Sequence, residues 1–414
     1  MSEIKKLIDR LCPDGVEYKK LGEVCNKVEK IKWKNINEER KFIYIDLSSV
    51  DIRTHKISED YVIERKTAPS RAQQIIKTND IIFGTTRPTL MRYSMIPHSL
   101  DRHICSTGYC VIRANQDNVL ARWIFHIVSS RSFFEYVNNN QQGAGYPSIN
   151  DNTLFSFEIP VPPIEVQSKI VEILDNFTEL EAELEAELEA RRKQYEYYRN
   201  QLLTFDKVGG VRFDVKWMKL GEVAKCYSGA TPKTSVASYW EDGTIPWMNS
   251  GEVNLGRVYK TENKITQLGY DSCSTKMVPA HTVVIALAGQ GKTRGTVAIT
   301  EIDLCTNQSL CAVEVDNNKI DSYYLWHYLR GQYQTLRKIS SGDGTRGGLN
   351  QNMIRNFEIP VPPLEKQRGL ANILDRFEAL TTDLQSGLPA EIEARRKQYE
   401  YYREKLLSFK RKEF

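Results

Sequence analysis

The stretch "EARRKQYEYYR" occupies residues 189–199, and the same eleven residues return at 393–403, 204 positions later. The match extends outward. "FEIPVPP" stands at 157–163 and again at 357–363, followed by "IEVQSKIVEILDNF" from Ile164 and by "LEKQRGLANILDRF" from Leu364. Upstream, "KLGEV" appears at 20–24 and at 219–223. The order is the same each time: KLGEV, a long variable stretch, FEIPVPP, then a helical run that closes on the eleven-mer. The chain is one half written twice. Two copies are too few for a solenoid, which needs about three stacked units. A duplicated half predicts a pseudo-twofold molecule, suited to gripping something with two ends.

The runs after FEIPVPP have helical periodicity. Leu180, Leu184, Leu188, Tyr195 and Tyr198 continue an apolar stripe that starts at Ile170, and Leu384, Tyr399 and Tyr402 continue its twin. Steps of three and four residues put such a stripe on one helix face, as in a coiled-coil seam. "TELEAELEAELEA" (178–190) is rich in strong helix formers and has no breaker. In the twin, Gly387 and Pro389 predict a break, with proline restarting the helix in its first turn. The simplest arrangement is an antiparallel pair; about 40 residues at about 1.5 Å each make a rod of roughly 60 Å.

The variable stretches read as short strands and loops. "NDIIFGTT", "YCVIRA", "HTVVIALAG" and "GTVAI" are β-rich and bounded by turn residues. A helix is expected in each half, over "NVLARWIFHIVSSRSFFEYV" and "IDSYYLWHYLRGQYQTLRKI", and a polar glycine-bearing loop follows. The fold class is therefore α+β: two globular domains of similar fold, joined by two long antiparallel helices. The expected boundaries are 1–156 for the N-terminal segment and first domain, 157–206 for the first helix, 207–356 for the second domain and 357–414 for the last helix.

Net charge is +4, but it is unevenly spread. Residues 164–204 hold ten acidic and five basic side chains, and 364–409 hold eight of each, so the rest of the chain carries +9. Basic variable stretches suit a polyanion partner as well as they suit a solvated lysine-rich surface. The N-terminal "MSEIKKLIDRL" lacks the apolar core of a signal peptide, and the eight cysteines form no CxxC pair, which points to the cytoplasm.

Candidate chemistry is thin. "ALAGQGKT" (286–293) fits a relaxed phosphate-loop pattern, but a working loop must open a helix. A β pattern follows instead, favouring a hairpin with a basic tip. His98, His103, Cys105 and Cys110 gather in one stretch, yet the other half keeps only Cys305 and Cys311, so these thiols read as small buried apolar groups rather than zinc ligands. His126 and His327 sit beside Trp123 and Trp326 on the expected helices, where face packing explains them.

With its two variable domains between duplicated helical runs, the chain resembles the specificity subunit of a type I restriction–modification system. The resemblance rests on "FEIPVPPIEVQSKIVEILDNF" and its twin, on "RRKQYEYYR" twice, and on "YSGATPKTS…YWEDGTIPW" opening the second domain; it covers essentially the whole chain. The repeated "LEAE" resembles the central spacer of the IC subgroup. The resemblance implies a non-catalytic subunit that reads a split double-stranded DNA target, one half-site per recognition domain. It implies two modification subunits that carry AdoMet and two restriction subunits that use ATP and Mg, with no cofactor or metal in this chain. DNA is expected at loop tips that combine glycine with cations: Arg87 and Arg92 with Gln142 and Tyr146 in the first domain, and Lys292, Arg294 and Arg346 in the second. Two rival readings are an NTPase using Lys292 and Thr293, and a coiled-coil adaptor that binds DNA without specificity.

Overall fold

The computed structural model describes residues 2–205, 215–289, 293–340, 348–382 and 387–413. It divides into two units. Residues 1–185 with 391–414 form one, and residues 186–390 form the other.

The repeated words meet at the foot of each unit. Tyr18–Lys20 pairs antiparallel with Glu158–Pro160, and Lys216–Lys219 pairs in the same way with Glu358–Val361. The Leu21 N–H donates to the Phe157 carbonyl at 2.8 Å, and the Leu220 N–H to that of Phe357 at 2.9 Å. Glu23 and Glu222 accept the N–H groups of Lys20 (3.1 Å) and Lys219 (3.0 Å), capping the short turn over LGEV. KLGEV and FEIPVPP thus build a two-stranded foot that gathers both ends of a variable stretch.

Two sheets fill each variable stretch. In the first unit, Tyr109–Ala114 and Ile81–Gly84 are the central strands of an antiparallel four-stranded sheet, flanked by Cys25–Asn26 and Tyr93–Met95. The other sheet runs Val62–Ile63, Phe42–Ile45, Ile104–Ser106, Ala72–Ile75, and its central pair is parallel. The second unit has a five-stranded and a four-stranded sheet, whose Ile245–Met248 and Leu304–Thr306 are again parallel. The strand Val283–Ala286 is followed by Val297–Thr300, which pairs with it antiparallel. The residues around the phosphate-loop-like stretch therefore join two strands rather than opening a helix.

Each expected domain helix is split in two. Ala121–Val128 ends before Ser130, whose side chain accepts the Phe133 N–H and starts Arg131–Asn140. In the second unit Ser322–Gly331 gives way to Tyr333–Ile339. These helices meet the long ones. Trp123, Ile124 and Phe133 share a buried core with Ile170 and Leu174 of helix Ile164–Leu203, and with Tyr399 and Leu406 of helix Leu388–Leu406. In the second unit Leu325 and Trp326 share a core with Ala371 and Leu374 of helix Leu364–Thr382, and with Tyr195 and Leu203. Each core therefore draws on both copies of the repeated helical run.

Within the first unit the long helices run antiparallel. Phe177 stacks on Tyr402 at 5.4 Å, while Glu181 and Glu185 both pair with Arg396. In the second, Tyr198 stacks on Phe377 at 5.5 Å. Leu184 and Leu188 are half-buried and Leu180 is exposed; Leu384 lies outside the described residues. The helix Leu364–Thr382 stops before Leu388, and Pro389 is the second residue of the next helix, where its missing N–H costs no hydrogen bond.

Candidate nucleic-acid interface

Beneath the variable loops, both units carry the same set of buried polar bonds. Gln167 is fully buried. Its Oε1 accepts the Leu120 N–H at 2.9 Å, and its amide donates to the carbonyls of Asn118 (3.2 Å) and Pro162 (2.8 Å). Gln367 does the same with the Asp321 N–H (2.8 Å) and the carbonyls of Lys319 (3.1 Å) and Pro362 (2.7 Å). One side chain thus ties the start of the long helix to the PVPP entry and to the start of the domain helix. Such satisfaction is what lets an amide be buried at all.

A histidine forms the second tie. His126 is fully buried, with Nε2 2.7 Å from Asp175 and Nδ1 2.9 Å from the Tyr399 hydroxyl. His327 lies 2.9 Å from Asp375 and 2.8 Å from the Tyr195 hydroxyl. A neutral ring that donates from Nε2 and accepts at Nδ1 satisfies all three groups. Burial pushes both imidazoles down, against the pull of the carboxylates. Burial pushes both carboxyls up, but bonds from the histidines and from Arg122 or Arg257 outweigh it and hold them below the ordinary range. With both ring nitrogens engaged and the ring out of solvent, these histidines are fasteners rather than general bases.

The loop sequences differ between the units. In the first, Arg87 takes a left-handed conformation (φ 48°), and its N–H donates to the Pro147 carbonyl at 2.7 Å. Thr86 bridges to Ser148, and Ser148 exchanges two 2.8 Å backbone bonds with Gln142. Gly143, at φ +102°, closes that turn where a side chain would be strained. The guanidinium of Arg87 lies 4.8 Å over the Tyr146 ring, and Tyr146 is 75 % exposed. Arg92, half-buried, ends the same loop; its backbone carbonyl accepts the Gly84 N–H at 2.7 Å. The structure thus joins Arg87, Gln142 and Tyr146, from loops far apart in sequence, into one surface with an exposed aromatic face beside a cation. That is the equipment for stacking a base and contacting a phosphate or guanine.

In the second unit the expectations fare differently. Lys292 and Arg346 lie outside the described residues. Arg294 is only 7 % exposed, so its guanidinium is turned into the domain rather than presented to a duplex. Its neighbour Gly295 stands at φ +82°, and antiparallel pairing begins at Val297. Cys105, Cys110, Cys305 and Cys311 are buried, and the His103 ring accepts the Ile43 N–H at 2.9 Å. Among the described residues no group of three or more His, Cys, Asp or Glu could hold a metal ion. Among them, too, no helix is long and apolar enough to cross a membrane.

The sequence reading did not single out Gln167, Gln367, Asp175 or Asp375. A signal was present: each recurs at an offset of 200 inside the repeated runs, where a polar residue interrupts an apolar face.

A family model described as the type I restriction modification DNA specificity domain matches twice, over residues 13–190 and 214–394. Similar proteins include the EcoR124I/EcoR124II type I restriction enzyme specificity subunit of Escherichia coli, 38 % identical over 267 residues. That alignment covers 62 % of this chain and 64 % of the relative, just under two thirds of the relative's length. A putative type I restriction enzyme specificity subunit of Haemophilus influenzae is 30 % identical over 297 residues, covering 70 % of this chain and 72 % of that one. Among solved structures, a chain described for complex assembly and conformational transition of the type I R-M system superposes with a TM-score of 0.66 at 24 % identity, over 95 % of this chain and 97 % of that one. The type I S subunit from M. genitalium gives a TM-score of 0.55 at 15 % identity, over 95 % and 96 %. At those identities the likeness speaks for the fold alone. The family's domain is matched twice and over most of the sequence, so this chain belongs to the type I restriction–modification DNA specificity family.

Proposed function

We propose that this chain is the specificity subunit of a type I restriction–modification enzyme and reads a bipartite DNA target, one half-site per domain. The observation that carries this reading is a duplicated buried clamp beneath loops that are not duplicated. Gln167 and Gln367, with His126 and His327, hold two domains of one fold in one way. The loops differ, as two readers of different sequences must. The recognition domains are 1–156, with its N-terminal segment, and 207–356. The spacers are 157–206 and 357–414. The "LEAE" run supports the IC subgroup.

Two modification subunits and two restriction subunits complete the enzyme and bring AdoMet, ATP and Mg. The eleven-mer supports paired docking. Tyr197 and Tyr401 occupy the same position in its two copies, and each is 60 % exposed, a large apolar surface offered twice. The test is to map methylated adenines in a host that expresses the chain with its modification subunits. A split motif with an unread gap is expected. A contiguous motif, or methylation independent of sequence, would refute the reading.

A further inference from the structure

In the same unit as the Arg87–Tyr146 surface, a cavity of about 520 Å³ is lined by Tyr44, Asp46, Ser48, Tyr61, Arg71 and Ser106 among others. It sits at one end of a sheet. Phe42–Ile45 and Ile104–Ser106 run parallel, so Asp46 and Ser106 come to the same end, and the register Ala72↔Ser106 brings Arg71 there from the other side. The Thr107 N–H fixes Arg71 by its carbonyl at 2.9 Å. Leu47, which also lines the cavity, lies 3.4 Å from where a Cβ at Gly84, the last residue of the strand that leads to Arg87, would stand and 3.2 Å from one at Gly108. Thr85, two residues before Arg87, donates its N–H to the Gly108 carbonyl at 2.9 Å.

The two charges of this cavity are held but not spent. Oδ1 of Asp46 takes the bonds of the turn, from Ser48 N–H (2.8 Å), Ser48 Oγ (2.6 Å), Ser49 N–H (3.2 Å) and Ser49 Oγ (3.2 Å). Burial pushes the carboxyl up, but these bonds outweigh it, so Asp46 stays ionised. Oδ2 has no partner among the described residues. Arg71 is exposed, and its guanidinium makes no hydrogen bond or ion pair among them. The two residues flank a shared central strand, about 10 Å apart at the backbone, too far to pair yet close enough to address one object.

That combination argues against a phosphate site, where a carboxylate would repel the ligand. On a DNA-facing surface an unpaired carboxylate oxygen can accept a hydrogen bond from an exocyclic amino group of a base. In the major groove cytosine presents the N4 amino group, which Asp accepts, while guanine presents O6 and N7, which Arg takes in bidentate fashion. We propose that Asp46 and Arg71 together read one G·C base pair in the half-site of the N-terminal domain, with Asp46 on the cytosine and Arg71 on the guanine. This rests on the specificity-subunit reading above and names residues and a base pair that it leaves open.

The test is methylated-adenine mapping of the complete complex with Asp46→Asn and Arg71→Ala, each against wild type. The Asp46→Asn change keeps an Oδ1 acceptor for the Ser48–Ser49 turn and replaces the free oxygen by a donor, so the fold is retained while the contact to an amino group is lost. The wild-type motif is expected to contain a G·C pair in one half-site. Each variant should relax that one position, lowering its preference by roughly 5- to 100-fold, and leave the other half-site unchanged. Three results would overturn the assignment: an unaltered motif, a uniform loss at all sites without relaxation (a phosphate contact or a structural role), or a half-site with no G·C pair. A wild-type complex with no split motif would instead sink the underlying reading, and this one with it.

Discussion

The two units solve one packing problem twice, and they keep the bond more faithfully than the residue. Trp123 donates its indole N–H to the Pro160 carbonyl at 3.0 Å; in the second unit Tyr324 donates its hydroxyl to the Pro360 carbonyl at 2.9 Å. The carboxylate behind each histidine needs a cation. In the first unit Arg122 supplies it from the same helix as His126. In the second, the corresponding helix position is Tyr323, and the cation is Arg257, from an edge strand, which also binds Glu301 (2.9 Å) and Glu378 (3.0 Å). Gln, His, Asp and Tyr are the parts kept in kind. A buried bond must be made, but which neighbour makes it is free to vary where more than one can reach.

If the clamp is the same device in both units, its loss must cost the same in both. Gln167→Leu strands the backbone groups of Leu120, Asn118 and Pro162, and Gln367→Leu those of Asp321, Lys319 and Pro362. At about 1–3 kcal/mol for each of the three stranded groups, each variant should lose at least about 3 kcal/mol in urea unfolding. A large loss in one unit and none in the other would break the equivalence. The arginines should separate the units instead. Arg257→Leu leaves three carboxylates facing one another and should cost about 3 kcal/mol. Arg122, with about a third of its side chain exposed, should cost about 1 kcal/mol when changed to Leu. Equal losses would show that the two cations do equivalent work.

Acid should reach both clamps. The histidines are held down by burial and the aspartates by their bonds, so in both cases the unfolded chain binds more protons than the folded one. Stability should be full above the ordinary imidazole value of 6.5, fall as pH drops below it, and fall further through the carboxylate range. Melting temperature followed from pH 8 to 5 (about the histidine range) checks this. A flat profile would mean that the rings take up protons in the fold as readily as in the unfolded chain. Smaller still, Tyr195→Phe and Tyr399→Phe each remove one hydroxyl from a buried ring nitrogen, and each should cost about 1 kcal/mol.

The architecture was legible because it was spelled twice. The repeated words predicted two like domains, the apolar stripe predicted the helices, and Gly387 with Pro389 predicted the break. The clamp was harder to read. The tyrosine that meets His126 lies 273 residues away and the one that meets His327 lies 132 away, so no local pattern links them. The repeat also drifts, from an offset of 200 at FEIPVPP to 204 at the eleven-mer, which hides corresponding residues. Trp123 and Trp326 look like counterparts beside their histidines, yet the bond of Trp123 is matched by Tyr324. Loop candidates were cations beside glycine at expected loop tips. That rule picked Arg87, which lies exposed over Tyr146, and equally picked Arg294, which is buried. The proposed Asp46 falls outside that rule, because an acid is not what a polyanion suggests.

The central claim is that one chain carries two independent readers on one duplicated clamp. It is tested most directly by mapping methylated adenines for wild type and for the double variant Arg87→Ala, Tyr146→Ala in the complete enzyme. These side chains lie on the surface away from the buried clamp, so stability should change by no more than about 0.5 kcal/mol. The account predicts a split motif in which one half-site relaxes or weakens while the other keeps its sequence. Equal relaxation of both half-sites in a normally folded protein would contradict it.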